Sequence, residues 1–185
     1  MFTSIFPPIP TPFDDSGQID LDALRANIAR WNDTGLAGYV ALGSNGEAPL
    51  LDADESSALV RAVRKAMAPG MRLIAGAGRE STRETIRACH MAADAGAEAV
   101  LVITPWYYDR AMSGDALRRH YEAVAGASPI PVLLYNMPAN TASTSPSPPS
   151  RNWPHILTSS VSKTAPATSA NCRPSCAPHP TTSRS

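Results

Sequence analysis

Residues 72–103 read RLIAGAGRESTRETIRACHMAADAGAEAVLVI, and this stretch decides the fold class. Residues 72–75 and 99–103 are short apolar runs typical of buried strands, and residues 81–95 between them repeat their apolar side chains at helical spacing. Ser81 and Glu84 have the spacing of a capping box, which marks the start of that helix. A strand, a helix and a second strand in succession predict a βαβ unit with parallel strands.

The same alternation extends on both sides of this unit. The predicted helices span residues 19–31, 54–67, 81–95 and 113–125, and the predicted strands span residues 4–10, 39–42, 72–75, 99–103 and 131–135. Five strands and four helices in this order predict an α/β fold, either a doubly wound sheet or an incomplete (β/α)8 TIM barrel. No GxGxxG pattern follows the first strand, which disfavours a dinucleotide site. The glycine-rich residues 76–81 are either a tight βα turn or an anion-binding loop.

The composition changes abruptly at residue 142. All 16 acidic residues and all 11 glycines lie in residues 1–141, whereas residues 142–185 hold 11 serines, eight prolines and six threonines. We therefore divide the chain into residues 1–141, which carry the α/β pattern of the doubly wound sheet or the incomplete barrel, and residues 142–185, a tail that is either disordered or of a different origin. A low-complexity linker or interaction segment is the rival interpretation of the tail.

The overall charge argues against several classes of partner. Lys plus Arg and Asp plus Glu are both 16, so the sequence favours neither nucleic acid nor an anionic membrane. No apolar run approaches the roughly 20 residues of a membrane helix. The first residues, MFTSIFPPIPTPF, lack the basic start of a signal peptide and are rich in proline. A cytoplasmic protein is expected.

The cysteines and histidines do not form a convincing metal site. His90 and His120 lie on predicted helices with no ligand partner at suitable spacing. Cys172, Cys176 and His179 have ligand-like spacing but no fourth ligand. We therefore expect no bound metal.

Three motifs stand directly after predicted strands, where a barrel places its active site. They are GSNGE at 43–47, TPWYY at 104–108 and YNMPANT at 135–141. In this order and spacing they resemble the dihydrodipicolinate synthase / N-acetylneuraminate lyase family of Schiff-base aldolases. GSNGEAPLL and PANT are more similar to the 4-hydroxy-2-oxoglutarate aldolase branch than to dihydrodipicolinate synthase itself. The resemblance starts at Phe2 and ends at Thr141.

The resemblance implies a lyase that joins pyruvate to an aldehyde, or releases them, without a cofactor. Ser44 and Asn45 match the residues that hold the keto-acid carboxylate, and Ser44 also matches a hydroxyl of the family's proton relay. Tyr135 matches the tyrosine that moves protons while the imine forms. Tyr107 or Tyr108 matches a tyrosine that reaches a neighbouring subunit's site. The family is usually homo-oligomeric, an assembly that we do not expect here because the barrel is incomplete.

The family's Schiff-base lysine ends a sixth strand, in a pattern like G-[LVM]-K-D-S. Lys163 follows Tyr135 by the family's spacing of 28 residues, but its surroundings, SVSKTA at 160–165, do not match. Restoring one base near codon 142 of a GC-rich gene can return Gly-Leu-Asp-Leu, and later His-Pro-Asn-Ile-Val-Gly-Val-Lys-Asp-Ser. We therefore interpret the tail as frameshifted and expect a catalytically defective chain. Dihydrodipicolinate synthase-type condensation and a non-catalytic remnant are the alternatives.

Overall fold

A computed structural model describes residues 5–137, residue 141 and the backbone of residues 156–158. Four helices alternate with strands along the chain, as the sequence predicts. In chain order they are α1 (Leu21–Trp31), β1 (Gly38–Ala41), α2 (Ala53–Ala66), β2 (Arg72–Gly76), α3 (Thr82–Asp94), β3 (Ala99–Ile103), α4 (Gly114–Ala127), β4 (Val132–Tyr135) and β5 (Ile156–Thr158).

Polar caps fix where the helices begin. Ser81 precedes α3 and its hydroxyl accepts the backbone N–H of Glu84, so this half of the predicted capping box is present. The Glu84 carboxylate pairs with Arg87 at 3.0 Å. A complete box precedes α2, where Asp52 and Glu55 each accept the other's backbone N–H. Each such cap stabilises a helix by about 1 kcal/mol.

The order of the strands distinguishes between the two predicted architectures. All five pair in parallel in the order β1-β2-β3-β4-β5, so each strand lies beside its neighbour in sequence. A doubly wound sheet reverses its strand order at a switch point, and no reversal occurs in the described sheet. Sequential parallel strands are the pattern of a (β/α)8 barrel, and the predicted incomplete barrel is confirmed.

Successive side chains of the strands alternate between two apolar clusters, because strand side chains have a period of two. The helices pack on the outer cluster, whose strand residues are Tyr39, Ala41, Leu73, Ala75, Val100, Val102, Val132 and Leu134. The inner cluster contains Ile74, Ala99 and Leu133, with Val40, Leu101 and Phe6 packed against it. The inner face is the side that a barrel encloses.

The first predicted strand is wrong in its extent. Residues 5–10 form no strand and make a single parallel bridge between Pro8 and Val40. Ile9 N donates to Val40 O at 3.0 Å, and Val40 N donates to Pro7 O at 2.9 Å. Prolines at positions 7, 8 and 10 supply no N–H, so this segment cannot form a longer ladder.

The fifth strand comes instead from the segment after residue 141. Ile156–Thr158 pairs with β4, and Leu134 lies opposite Thr158. These three are the residues of the predicted tail that the structure describes, and the other 41 lie outside the described part of the chain.

Candidate active site

The carboxyl ends of β1 to β4 meet at one edge of the sheet, because parallel strands end on the same side. The loops that follow them surround a cavity of about 450 Å³. Its lining comprises Leu42, Gly43, Ser44, Ala48, Pro49, Leu51, Gly76, Gly78, Arg79, Glu80, Leu101, Ile103, Trp106, Tyr135 and Thr141. The walls are mostly apolar with a few polar groups, as is usual for a small-molecule site.

Two of the predicted site residues meet in this cavity. Tyr135 is the last residue of β4 and, two positions after Leu133, its side chain belongs to the inner face. Its phenol oxygen lies 3.3 Å from the Ser44 hydroxyl, which follows β1. Tyr135 is 8% exposed, whereas Ser44 is exposed. The pair thus joins a largely buried phenol to a hydroxyl that solvent reaches.

A methionine completes the environment of the phenol. The Tyr135 hydroxyl donates to Met137 Sδ at 3.4 Å. A phenol has one proton, so in this arrangement Ser44 donates to Tyr135 and Tyr135 donates to Met137. A thioether is a weak acceptor. The phenol proton is therefore held loosely, and a stronger acceptor that entered the cavity would compete for it.

The turn after β1 presents backbone donors next to Ser44. Gly43 O accepts Gly46 N at 3.0 Å, which closes a short 3-10 turn over Ser44–Gly46. Within the described part of the chain, the N–H groups of Ser44 and Asn45 donate to no acceptor. Adjacent free N–H groups in such a turn suit an anion. The Asn45 side chain is exposed and does not line the cavity.

The two predicted loop tyrosines lie outside the cavity. Tyr107 and Tyr108 are 73% and 68% exposed, and their ring centroids lie 4.8 Å apart in an edge-to-face arrangement. The cavity wall is formed instead by the preceding Trp106, which the sequence analysis did not single out. The TPWYY motif contains Trp106, but nothing in the sequence indicates which of its three aromatic rings turns toward the cavity.

The cavity also contains two charged residues from the glycine-rich loop after β2. Arg79 is partly buried and donates to Gly78 O at 2.9 Å, and burial lowers the pKa of its guanidinium. Glu80 is exposed and accepts backbone N–H groups of the loop after β3. Residues 76–81 were interpreted from sequence as a possible anion loop, and Arg79 supplies a cation there. The sequence did not indicate the role of Glu80.

The amine that Schiff-base chemistry requires is not among the described cavity residues. The chain has two lysines, Lys65 and Lys163. Lys65 is exposed in the last turn of α2, at the sheet edge where β2 begins, and cannot reach the cavity. Lys163 lies outside the described residues. β5 residues are numbered 24 above their β4 partners, as Thr158 is above Leu134, whereas Lys163 is numbered 28 above Tyr135.

The other potentially reactive side chains, His120 and Cys89, are buried and do not line the cavity. His120 is buried, and its Nδ1 lies 2.9 Å from the Thr82 hydroxyl. Burial raises the pKa of the Cys89 thiol to about 11, which keeps it protonated. No cluster of three or more His, Cys, Asp or Glu suited to a metal occurs in residues 5–137. None of the four helices is long and apolar enough to cross a bilayer.

Comparison with known proteins identifies the family. The model of the Dihydrodipicolinate synthetase family matches residues 1–146. A 4-hydroxy-tetrahydrodipicolinate synthase of Synechococcus sp. (strain WH7803) is 44% identical over 133 residues, 71% of this chain and 43% of that protein. A probable mitochondrial 4-hydroxy-2-oxoglutarate aldolase of Emericella nidulans is 42% identical over 142 residues, 75% of this chain and 46% of that protein.

A solved structure gives the same result. The crystal structure of YagE, a prophage protein of the dihydrodipicolinic acid synthase family from E. coli K12 in complex with pyruvate, has a TM-score of 0.73 and 36% identity. The match covers 78% of this chain and 48% of that one. The chain thus spans about half the length of its relatives. From its sequential parallel sheet and its match to the family model, the chain belongs to the dihydrodipicolinate synthetase family.

Proposed function

We propose that this chain retains the keto-acid side of a Schiff-base pyruvate aldolase site and, in this form, does not turn substrate over. The complete site reversibly cleaves a 4-hydroxy-2-oxo acid into pyruvate and an aldehyde, or forms the acid from these two compounds. The observation that carries the proposal is the 3.3 Å contact between Ser44 and Tyr135 in the cavity.

The cavity groups suit the binding of pyruvate. The free N–H groups of Ser44 and Asn45 provide donors for a carboxylate, and Arg79 adds a positive charge to the wall. Imine formation removes a water from the keto carbon and needs a group that gives and takes protons. Tyr135 fits that role because Ser44 donates to it and its own proton rests on a weak acceptor.

The step that we expect to fail is the attack of a lysine amine on the keto carbon. Lys65 is remote, and Lys163 stands in a serine- and threonine-rich segment that lacks the apolar strand and the Asp-Ser pair of the family pattern. A catalytic lysine needs a desolvated pocket to lower its pKa.

Motifs, rather than overall identity, favour one aldehyde partner over another. Both relatives are similar to the chain to nearly the same degree, 44% and 42%, so overall identity does not choose between them. The GSNGE and PANT motifs favour the 4-hydroxy-2-oxoglutarate aldolase reaction over dihydrodipicolinate synthase-type condensation.

A non-catalytic remnant is the candidate from another class. The tail composition favours it, because a segment without glycine or acidic residues that is rich in serine and proline does not supply the buried strands that a barrel needs beyond β5. Limited proteolysis would then trim the purified chain back toward residue 141. A full-length chain that resists protease would count against it.

Binding of pyruvate tests the proposal. Titration calorimetry of the wild type should give saturable binding, and Tyr135→Phe should weaken it about three- to tenfold through the loss of one hydrogen bond. Tyr39→Phe is the matched control, since Tyr39 lies on β1 with its hydroxyl on Asn32, away from the cavity. Equal affinity in the wild type and Tyr135→Phe would refute the assignment of this cavity.

A further inference from the structure

The carboxylate of Glu80 joins two loops at the mouth of the cavity. It accepts the backbone N–H of Tyr107 at 2.9 Å, and the backbone N–H of Trp106 lies 3.3 and 3.2 Å from its two oxygens. Glu80 follows β2, and Trp106 and Tyr107 follow β3. One side chain therefore accepts from two consecutive amides of the neighbouring loop, 26 and 27 residues away.

Glu80 stands on a rigid support. The hydroxyl of Thr85, which is fully buried in α3, accepts the N–H of Arg79 at 3.1 Å. The same oxygen lies 3.1 Å from Arg79 O and 3.0 Å from Ser81 O, either of which can take its proton. The backbone on both sides of Glu80 is therefore hydrogen-bonded to the first turn of α3.

The contacted loop is anchored at its root as well. Thr104 is fully buried, and the hydroxyl of Tyr121 on α4 donates to Thr104 Oγ1 at 3.3 Å. Beyond that root, Tyr107 and Tyr108 are exposed. Glu80 therefore contacts the loop between its buried root and its exposed tip, at the point where Trp106 forms the cavity wall.

We propose that Glu80 is a positioning residue that clamps the loop after β3 by its Trp106 and Tyr107 amides and so sets the position of the Trp106 wall of the cavity. Bonds from N–H groups to an ionised carboxylate are about twice as strong as neutral ones, which suits a contact made at an exposed site. The Glu80 carboxylate accepts from backbone amides of this loop, so the clamp does not depend on the side chains at positions 106 and 107.

Amide hydrogen exchange tests the clamp on the full-length chain without any keto acid. Glu80→Ala should speed exchange at the Trp106 and Tyr107 amides about tenfold, and Glu80→Gln, which keeps one acceptor oxygen and no charge, about threefold. Glu84→Ala is the matched control, because Glu84 pairs with Arg83 and Arg87 on the surface of α3. It should leave both amides unchanged.

The clamp is confirmed if the faster exchange is confined to this loop while the urea midpoint of unfolding stays constant. It is refuted if Glu80→Ala leaves both amides at the wild-type rate. It is also refuted if exchange rises to the same extent across all elements, since that would be a loss of global stability. The role of the cavity rests on the proposed function, but the exchange measurement uses no substrate. Failure of the clamp is therefore distinguishable from failure of the proposed function.

Discussion

The hydroxyl of Ser44 lies 3.3 Å from the phenol oxygen of Tyr135, although 91 residues separate them in the chain. Each stands at the carboxyl end of its strand, β1 and β4, and the two intervening strands set the distance across the sheet. Parallel pairing therefore brings together two hydroxyls that sequence distance alone would not connect. Their position depends on the backbone of the loops that carry them, which makes several substitutions informative.

Gly76→Ala should disrupt the turn that carries Ser44. A Cβ at Gly76 would lie 1.8 Å from the backbone oxygen of Leu42, which itself has a φ of 55°. A backbone atom cannot yield cheaply, so we expect a loss of about 3 kcal/mol or more in the free energy of unfolding. Urea denaturation measures this loss.

Gly114→Ala is the control for that experiment. Gly114 is the first residue of α4, and nothing lies within 4 Å of the Cβ that alanine would add. Alanine is favoured over glycine in a helix by up to about 1 kcal/mol, so stability should stay the same or rise. A Gly76→Ala variant as stable as Gly114→Ala would contradict the close approach of Gly76 to Leu42.

Ser56→Ala should stabilise the chain. Ser56 lies in α2, is 4% exposed, and its hydroxyl has no hydrogen-bond partner among the described residues. Removing a buried polar atom that forms no bond, together with the better helix propensity of alanine, should add about 0.5–1 kcal/mol. Ser57→Ala, on the same helix but less buried, reports the propensity gain alone. A destabilised Ser56→Ala would show that the hydroxyl is satisfied.

Acid should weaken the contact between α3 and α4. Burial lowers the pKa of His120 below its ordinary 6.5. The unfolded chain then binds a proton more readily than the folded chain, so stability is complete above pH 6.5 and falls as the pH drops below that value. His120→Asn removes the titration while keeping a polar group opposite Thr82.

Urea unfolding at about pH 7.5 and about pH 5.5 checks this sign. The wild type should lose more stability between the two values than His120→Asn, whereas the exposed His90→Asn should behave like the wild type. An equal loss in the wild type and His120→Asn would show that burial of this imidazole does not affect the pH response.

The periodic features of the sequence were sufficient to predict the four helices and β1 to β4. Helical stripes and short apolar runs are local patterns, and the bounds of α1, α2, α3 and α4 differ from the predicted ranges by one or two residues. The apolar content of residues 4–10 predicts a strand, but the prolines lack N–H groups and limit residues 5–10 to one bridge.

The candidate site was harder to predict than the fold, and the reason is the range of its contacts. Ser44 and Tyr135 were found through motifs that resemble a known family, and the structure brings them together. Glu80 and Trp106 belong to different motifs, and the bond between them depends on loop conformation rather than on any periodicity. No single-sequence pattern encodes a carboxylate that binds backbone amides 26 residues away.

The nucleotide sequence tests the frameshift interpretation. Restoring one base near codon 142 should open a frame that continues PANT with Gly-Leu-Asp-Leu and later ends a strand with Val-Lys-Asp-Ser. Such a frame would account for a tail without glycine or acidic residues. If no single-base restoration in this region yields a lysine-bearing strand, the interpretation is wrong.

Borohydride trapping with pyruvate tests the central claim, a keto-acid cavity without a productive amine. Lys65 and Lys163 are the two lysines of the chain, so peptide mass spectrometry distinguishes an adduct on either side chain from one on the N-terminal amine. At pyruvate concentrations that saturate the cavity, we expect no stoichiometric adduct on either lysine. A stoichiometric adduct at Lys163 that persists in Lys65→Arg and disappears in Lys163→Arg would contradict the account.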